Sequence, residues 1–383
     1  MSVTAAQGFR AAGVAAGLKA SGARDVSLVV NDGPSQAAAG VFTTNRVKAA
    51  PVVWSDQVLK SGALKAVALN SGGANACTGP RGFQDTHVTA EHVASLLGCG
   101  AGEIAVCSTG LIGDFLPMER LLSGFNEAFL TLSADGGAVA AGAIMTTDSV
   151  SKESSTTRGG YIVGGMAKGA GMLAPGLATM LVVLTTDALV DSVTCDDALR
   201  AATRRTFDRI DSDGCMSTND TVLLLASGAS GTGPDPDDFA DAVRAVCADL
   251  ARQLIADAEG ATKDIRIDVL GAATEDDAVL AARAVARSNL FKCAVHGEDA
   301  NWGRVLAAVG TTAAAFEPDQ IDVSINDVWL CRDGAAADDR SGCDMSQREV
   351  VVTVDLHAGV ASATVWTNDL TAMYVHENSA YSS

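Results

Sequence analysis

The stretch KGAGMLAPGLATMLVVLTTD, from Lys168 to Asp187, constrains the fold more than any other part of the chain. Its second half, Met180 to Leu184, is a short unbroken apolar run closed by Thr185, Thr186 and Asp187, which is the pattern of a buried β-strand. Its first half carries Gly169, Gly171, Pro175 and Gly176, which would interrupt any helix or strand they fell in. A core strand therefore begins at a threonine, Thr179, directly out of a loop. An ordinary strand start explains this as long as nothing else marks the position.

At 383 residues, 48% of them hydrophobic, the chain predicts two domains, or two halves sharing a large sheet. Its 27 Lys and Arg face 46 Asp and Glu, a net charge of −19 that repels phosphate backbones and excludes nucleic acid as a partner. The opening MSVTAAQGFRAAGVAAGLKA has no apolar core of the signal-peptide kind, and no stretch has the length of a membrane span. These features predict a cytoplasmic enzyme or binding protein. Nine cysteines, scattered and without a C-x-x-C pair, predict reduced thiols, neither a disulfide framework nor a zinc site. His87 and His92 in HVTAEH fit no metalloprotease spacing and read as part of a solvated helix.

The second half is the more legible. DPDDFADAVRAVCADLARQLIADAEG predicts a helix with Asp235 as N-cap, Pro236 at its first position and a stripe of Phe239, Val243, Val246, Leu250 and Leu254. DIRIDVLG alternates as a half-buried strand, and TEDDAVLAARAVARSNLF reads as one helix capped by Thr274. Strands follow at QIDVSIND, VWLC, EVVVTVDL and ASATVWT, the last two reading as a hairpin across HAGV. In the first half AAGVFTTN, APVVWS and LKAVALN read as strands, EIAVCSTG repeats the strand-to-polar-turn layout, and GGYIVGGMAKGAG reads as the junction between halves. Strands alternating with helices, with hairpins among them, predict an α/β or α+β fold.

Familiar catalytic signatures fail. GAGMLA matches a dinucleotide turn, but Pro175 and Gly176 stand where its helix would propagate. SVSK, Ser149 to Lys152, matches S-x-x-K without its companion motifs, and neither a P-loop nor G-x-S-x-G is present. What remains is polar chemistry without a histidine base. A threonine hydroxyl becomes a nucleophile when a base lies within reach, and a free α-amine of its own residue, with a pKa of about 7.7 to 8, is one such base. An internal amide has no such basicity.

KGAGMLAPGLATML, with its Lys-Gly, Gly-Met, Pro and Ala-Thr-Met-Leu, resembles the signature of the ornithine acetyltransferases, an arginine-biosynthesis family. GVFTTNRVKAAPV, LNSGGANACTG, STGLIGDFLPM, AIMTTD, DGCMSTNDTV, NWGRVLAAVG and ENSAYSS are similar to family blocks in family order, so the likeness covers essentially the whole chain. It implies an α/β (α+β) fold: a layered α/β/β/α sandwich of the self-processing, N-terminal-nucleophile kind with a smaller C-terminal α/β domain. It also implies that the precursor cuts itself between Ala178 and Thr179, giving chains 1–178 and 179–383. Thr179 would then be a chain terminus as well as a strand start.

The resemblance carries further roles position by position. Thr179 would take the acetyl group of N-acetylornithine and pass it to glutamate in a ping-pong cycle. Thr109 and Gly110 would form the oxyanion hole, and Thr146, Thr147, Lys168, Thr179, Glu259, Asn378 and Ser383 would bind substrate. Neither metal nor organic cofactor is implied, and the expected assembly is a heterotetramer of two copies of each fragment. A bifunctional version that also acetylates glutamate from acetyl-CoA, and a paralogue of specialised metabolism, stay open. So do an aminopeptidase-like self-cleaving hydrolase and a non-catalytic binding protein.

Overall fold

The computed structural model describes residues 2–174 and 180–380, so Ala178, Thr179 and Ser383 lie outside the described residues. Two compact units form: one holds the chain up to Asp208 together with Cys215–Asp257, the other holds Arg209–Gly214 together with the chain from Ala258 onward.

In chain order the first unit contains β1 (Phe9–Val14), β2 (Val26–Asn31), β3 (Ala37–Phe42), α1 (Ala50–Val58), β4 (Ala66–Asn70), α2 (Gly79–Leu97), β5 (Ile104–Ser108), α3 (Met118–Leu130) and α4 (Gly137–Ala143). It continues with β6 (Lys152–Arg158), β7 (Tyr161–Lys168), β8 (Leu181–Thr186), α5 (Ser192–Arg205), β9 (Thr221–Ala226) and α6 (Pro236–Ala256). Two sheets result, ordered β1-β2-β4-β5 and β3-β9-β8-β7-β6. Side chains alternate along each strand, and this builds the layers. Val29, Val67, Leu69, Ala105 and Cys107 of the first sheet share one core with Met166, Leu181, Val183, Leu223 and Leu225 of the second. The intervening residues Leu28, Val30, Ala68 and Val106 turn the other way and pack with Val93 of α2 and Leu121 and Phe125 of α3. Helices α5 and α6 cover the far side of the second sheet. The order is α/β/β/α, as the family resemblance implies. Strand β8 reads as a continuous apolar run because both of its faces are covered, and it lies parallel to β9 and antiparallel to β7.

Two expectations in this unit are overturned. APVVWS is not a strand: it opens α1, with Pro51 in the first helical turn and Pro51, Val52, Ser55 and Val58 buried at helical spacing. GGYIVGGMAKGAG is not a junction. Gly159 and Gly160, at φ 50° and 92°, make the two-residue turn joining β6 to β7, and the strand that follows is buried. Gly164 is required there by close packing, since a Cβ would stand 2.4 Å from the Ser2 carbonyl oxygen. Helix α6 forms as predicted, with Asp235 accepting from the amides of Asp237 and Asp238 and all five stripe residues buried.

The second unit contains β10 (Asp264–Ala272), α7 (Glu275–Ala286), α8 (Asn289–His296), α9 (Trp302–Val309), β11 (Asp322–Ile325), β12 (Val328–Arg332), β13 (Ala335–Ala336), β14 (Glu349–Asp355), β15 (Ala361–Asn368) and α10 (Ala372–Ala380). Its sheet runs β13-β12-β11-β14-β10-β15. The expected β14–β15 hairpin is absent because β10 lies between them, parallel to β14 and antiparallel to β15. HAGV instead arches over the end of β10: the amides of Ala358 and Gly359 both donate to the Gly271 carbonyl, at 2.6 and 2.8 Å. The helix expected over TEDDAVLAARAVARSNLF is broken in two. Thr274 caps α7 as predicted, but Ser288 accepts from the Phe291 amide and starts α8 afresh.

Candidate active site

Strand β5 ends at Ser108, and the next two residues carry the first part of the site. Thr109 is buried, and its amide is spent on the Asn70 carbonyl at 3.0 Å. Its hydroxyl accepts a hydrogen bond from the Lys168 ammonium at 3.2 Å, leaving the hydroxyl hydrogen to donate elsewhere. Gly110 sits at φ 130°, and among the described residues its N–H donates to no acceptor. The adjoining Gly73 amide donates to the Thr109 carbonyl at 3.0 Å, and a Cβ on Gly110 would lie 2.8 Å from the Gly73 nitrogen. Two glycine-bearing turns are thus interlocked, presenting a hydroxyl and a backbone N–H beside a cation. That set can neutralise a developing oxyanion.

Lys168 is the last residue of β7 and is 2% exposed. Its neighbourhood is organised by Asp148. One oxygen of that carboxylate accepts from the Gly169 amide at 2.6 Å and from the Lys152 ammonium at 2.7 Å; the other accepts from the Thr146 amide at 3.0 Å. Lys152 also reaches Asp257 at 2.6 Å, and both Lys152 and Asp148 have fully buried side chains. Burial opposes the charge on Asp148, but the Lys168 and Lys152 ammonium groups and these hydrogen bonds outweigh it and hold the carboxyl at about 2. Because the folded value is depressed, its contribution is present above the unfolded pKa, near 4, and is lost as pH falls towards 2. The stability gap between wild type and Asp148→Asn, read by urea titration, is expected to narrow by about 2 kcal/mol between pH 5 and pH 2. A gap independent of pH would mean that the carboxylate is not held ionised.

Asp220, just before β9, is the second buried carboxyl. One oxygen accepts from the Met180 amide at 3.1 Å; the other has no hydrogen-bond partner among the described residues. Burial, the dominant cause, raises its pKa well above the usual range despite the Lys168 charge. Asn219 beside it donates to the carbonyls of Ala74 and Ser108, at 2.6 and 2.8 Å, and so ties the start of β9 to both glycine turns.

Of the residues singled out from the sequence, Thr109, Gly110, Thr146, Thr147 and Lys168 all belong to this unit, with Thr146 and Thr147 half-buried. Glu259 and Asn378 belong to the other, where the Asn378 amide donates to the Glu259 carboxylate at 3.0 Å. There Glu259 lines a cavity of about 80 Å³ with Ser212, Asp213, Arg287, Lys292 and Tyr374. Sequence reasoning missed Asp148, Lys152, Asn219 and Asp220. Asp148 closes the very block AIMTTD whose threonines were singled out, and Lys152 ends the S-x-x-K match; here its ammonium is spent on two carboxylates. Among the described residues no group of three or more His, Cys, Asp or Glu could hold a metal ion, and no helix is long and apolar enough to cross a membrane.

A four-layer unit with a threonine hydroxyl, a glycine N–H and a buried lysine at its strand ends defines an acyltransferase class of enzyme. A sequence model described as the ArgJ family matches residues 10–383. The proteins called arginine biosynthesis bifunctional protein ArgJ in Streptomyces coelicolor and Streptomyces avermitilis are each 68% identical over 383 residues, covering all of both chains. A solved ornithine acetyltransferase of Mycobacterium tuberculosis, complexed with ornithine, is 57% identical, covers 47% of this chain and 96% of its own, and has a TM-score of 0.43. The chain belongs to the ArgJ family.

Proposed function

We propose that this chain transfers an acetyl group from N2-acetyl-L-ornithine to L-glutamate, as an arginine-biosynthesis acyltransferase, after cutting itself between Ala178 and Thr179. The freed Thr179 amine takes the hydroxyl proton as Oγ attacks the acetyl carbonyl. The C–N bond breaks, the proton passes to the departing ornithine amine, and the acetyl group rests on Thr179 as an ester. The glutamate amine then attacks that ester, giving N-acetylglutamate and the free threonine. The Thr109 hydroxyl and Gly110 N–H stabilise both oxyanions. Lys168 pairs with the α-carboxylate shared by the two substrates, and Thr146 or Thr147 lies against the acyl group. Glu259, Asn378 and Ser383 hold the remaining polar groups of the amino acids. The active species is a heterotetramer of two fragments 1–178 and two fragments 179–383.

The observation that carries this reading is the Lys168–Thr109 contact of 3.2 Å beside the free Gly110 N–H, in a chain of the ArgJ family. The relatives' name, bifunctional, favours a second donor, acetyl-CoA. Purified protein given N-acetylornithine and glutamate is expected to release ornithine and N-acetylglutamate in equal amounts. Acetyl-CoA and glutamate with N-acetylornithine omitted separates the bifunctional enzyme, which makes N-acetylglutamate, from the monofunctional one, which does not. Hydrolysis of N-acetylornithine without transfer would sink the reading.

A further inference from the structure

We infer that Asp148 is a positioning residue of the acetyl-transfer site: it holds the Thr146 and Gly169 backbones and sets the field around Lys168, with Lys152 and Asp257 anchoring it from behind. The inference rests on the acetyl-transfer reading of the same site. Three parts of the chain meet at this one carboxylate. The loop after α4 supplies Thr146 and Asp148, the end of β7 supplies Lys168 and Gly169, and the start of β6 supplies Lys152. Asp257, which closes α6, takes the other side of the Lys152 ammonium and accepts from the amide of Ser149 at 3.0 Å and from its hydroxyl.

The chemistry of the set argues for a role beyond stability. Apolar residues of similar volume would pack such a position without the cost of desolvating charges, so a buried ion pair is weak as a stabilising device. Here the charges alternate, Asp257, Lys152, Asp148 and Lys168, and the last is the cation proposed to meet the substrate carboxylate. A carboxylate placed beside that lysine keeps it protonated as the pH rises. The Asp148 oxygens also fix two amides, so the backbones of a candidate acyl-contact segment and of the lysine strand end are set by the same atom pair. The other charged groups acting with Lys168 among the described residues are Lys19, which repels it, and Asp220, which burial keeps from ionising. Lys19 is itself tied to the carbonyls of Arg24 and Met145, at 2.8 and 2.7 Å.

Asp148→Asn keeps a carbonyl acceptor and removes the charge. The variant is expected to raise KM for N-acetylornithine and for glutamate about tenfold, in line with loss of one charge-supported contact. Removing a negative neighbour lowers the lysine's pKa, so the basic limb of kcat/KM is expected to move about one pH unit towards acid. If the single variant does not fold, Asp148→Asn with Lys152→Met removes charge and counter-charge together and is expected to show the same shift of the basic limb. A folded variant with wild-type KM and an unmoved basic limb, whatever its melting temperature, overturns the inference. Wild type that turns over while both variants keep the wild-type profile overturns this inference alone; wild type that transfers no acetyl group overturns the acetyl-transfer reading and this inference with it.

Discussion

Thr179→Ala is expected to remain one uncut chain of 383 residues and to transfer no acetyl group, a loss on the order of 10⁶-fold. Both effects have one cause. The hydroxyl is the proposed nucleophile, and the α-amine that serves as its base exists after cleavage and not before. What surrounds the cut is suited to holding a new terminus still. Met180, the next residue, is fixed on both backbone sides, its amide on Asp220 at 3.1 Å and its carbonyl by the Thr221 amide at 3.1 Å. Strand β8 then runs between β7 and β9, in the middle of its sheet. Intact mass and N-terminal sequencing provide the check. Wild type should give two fragments, one beginning Thr179-Met180-Leu181, and the variant one. A wild-type chain that stays whole yet exchanges acetyl groups at full rate would remove the free amine from the mechanism.

Gly110→Ala is expected to lower kcat by about 10² to 10³ with a far smaller change in KM. At φ 130° an alanine is strained, and its Cβ would press on the Gly73 nitrogen at 2.8 Å, the atom whose hydrogen holds the Thr109 carbonyl. Relieving that clash pushes apart the turns that aim the Thr109 hydroxyl and the Gly110 N–H. An oxyanion exists at the tetrahedral stage and not in the bound substrates, so the cost falls on kcat. A rise in KM at constant kcat would move Gly110 from the oxyanion hole to ordinary substrate binding. Circular dichroism and a melting curve guard against a folding defect, since backbone strain of this kind costs about 1–3 kcal/mol.

Helix α6 and strand β10 were legible in the sequence because their signals are local: a cap, a stripe at helical spacing, a strict alternation. The first half was harder because alanine and glycine blur both periods. APVVWS looked like a strand by composition, yet Pro51 in the first helical turn and burial at positions 51, 52, 55 and 58 make it helical. GGYIVGGMAKGAG looked like a linker by its glycines, which instead form a tight hairpin turn and admit close packing. At the candidate site, Thr109, Gly110 and Lys168 were found through a family signature. Asp148, Lys152 and Asp220 were not, because a carboxylate announces its role by what faces it, and Lys152 and Asp257 stand 105 residues apart in the chain.

The sequence by itself determined that a buried strand starts abruptly at Thr179, that the acidic chain does not bind nucleic acid, and which family supplies the chemistry. These rest on residue type and short spacing, which fold together with their neighbours and need no partner. Tertiary structure alone decided the strand orders, the insertion of β10 between β14 and β15, and the placing of β7 beside β8 in one sheet. It alone brought Asp148 to Lys152 and Thr109 to Lys168. Strand pairing and the satisfaction of buried charges are settled by whichever distant segment completes the hydrogen bonds once water has been excluded, and no local pattern encodes that choice.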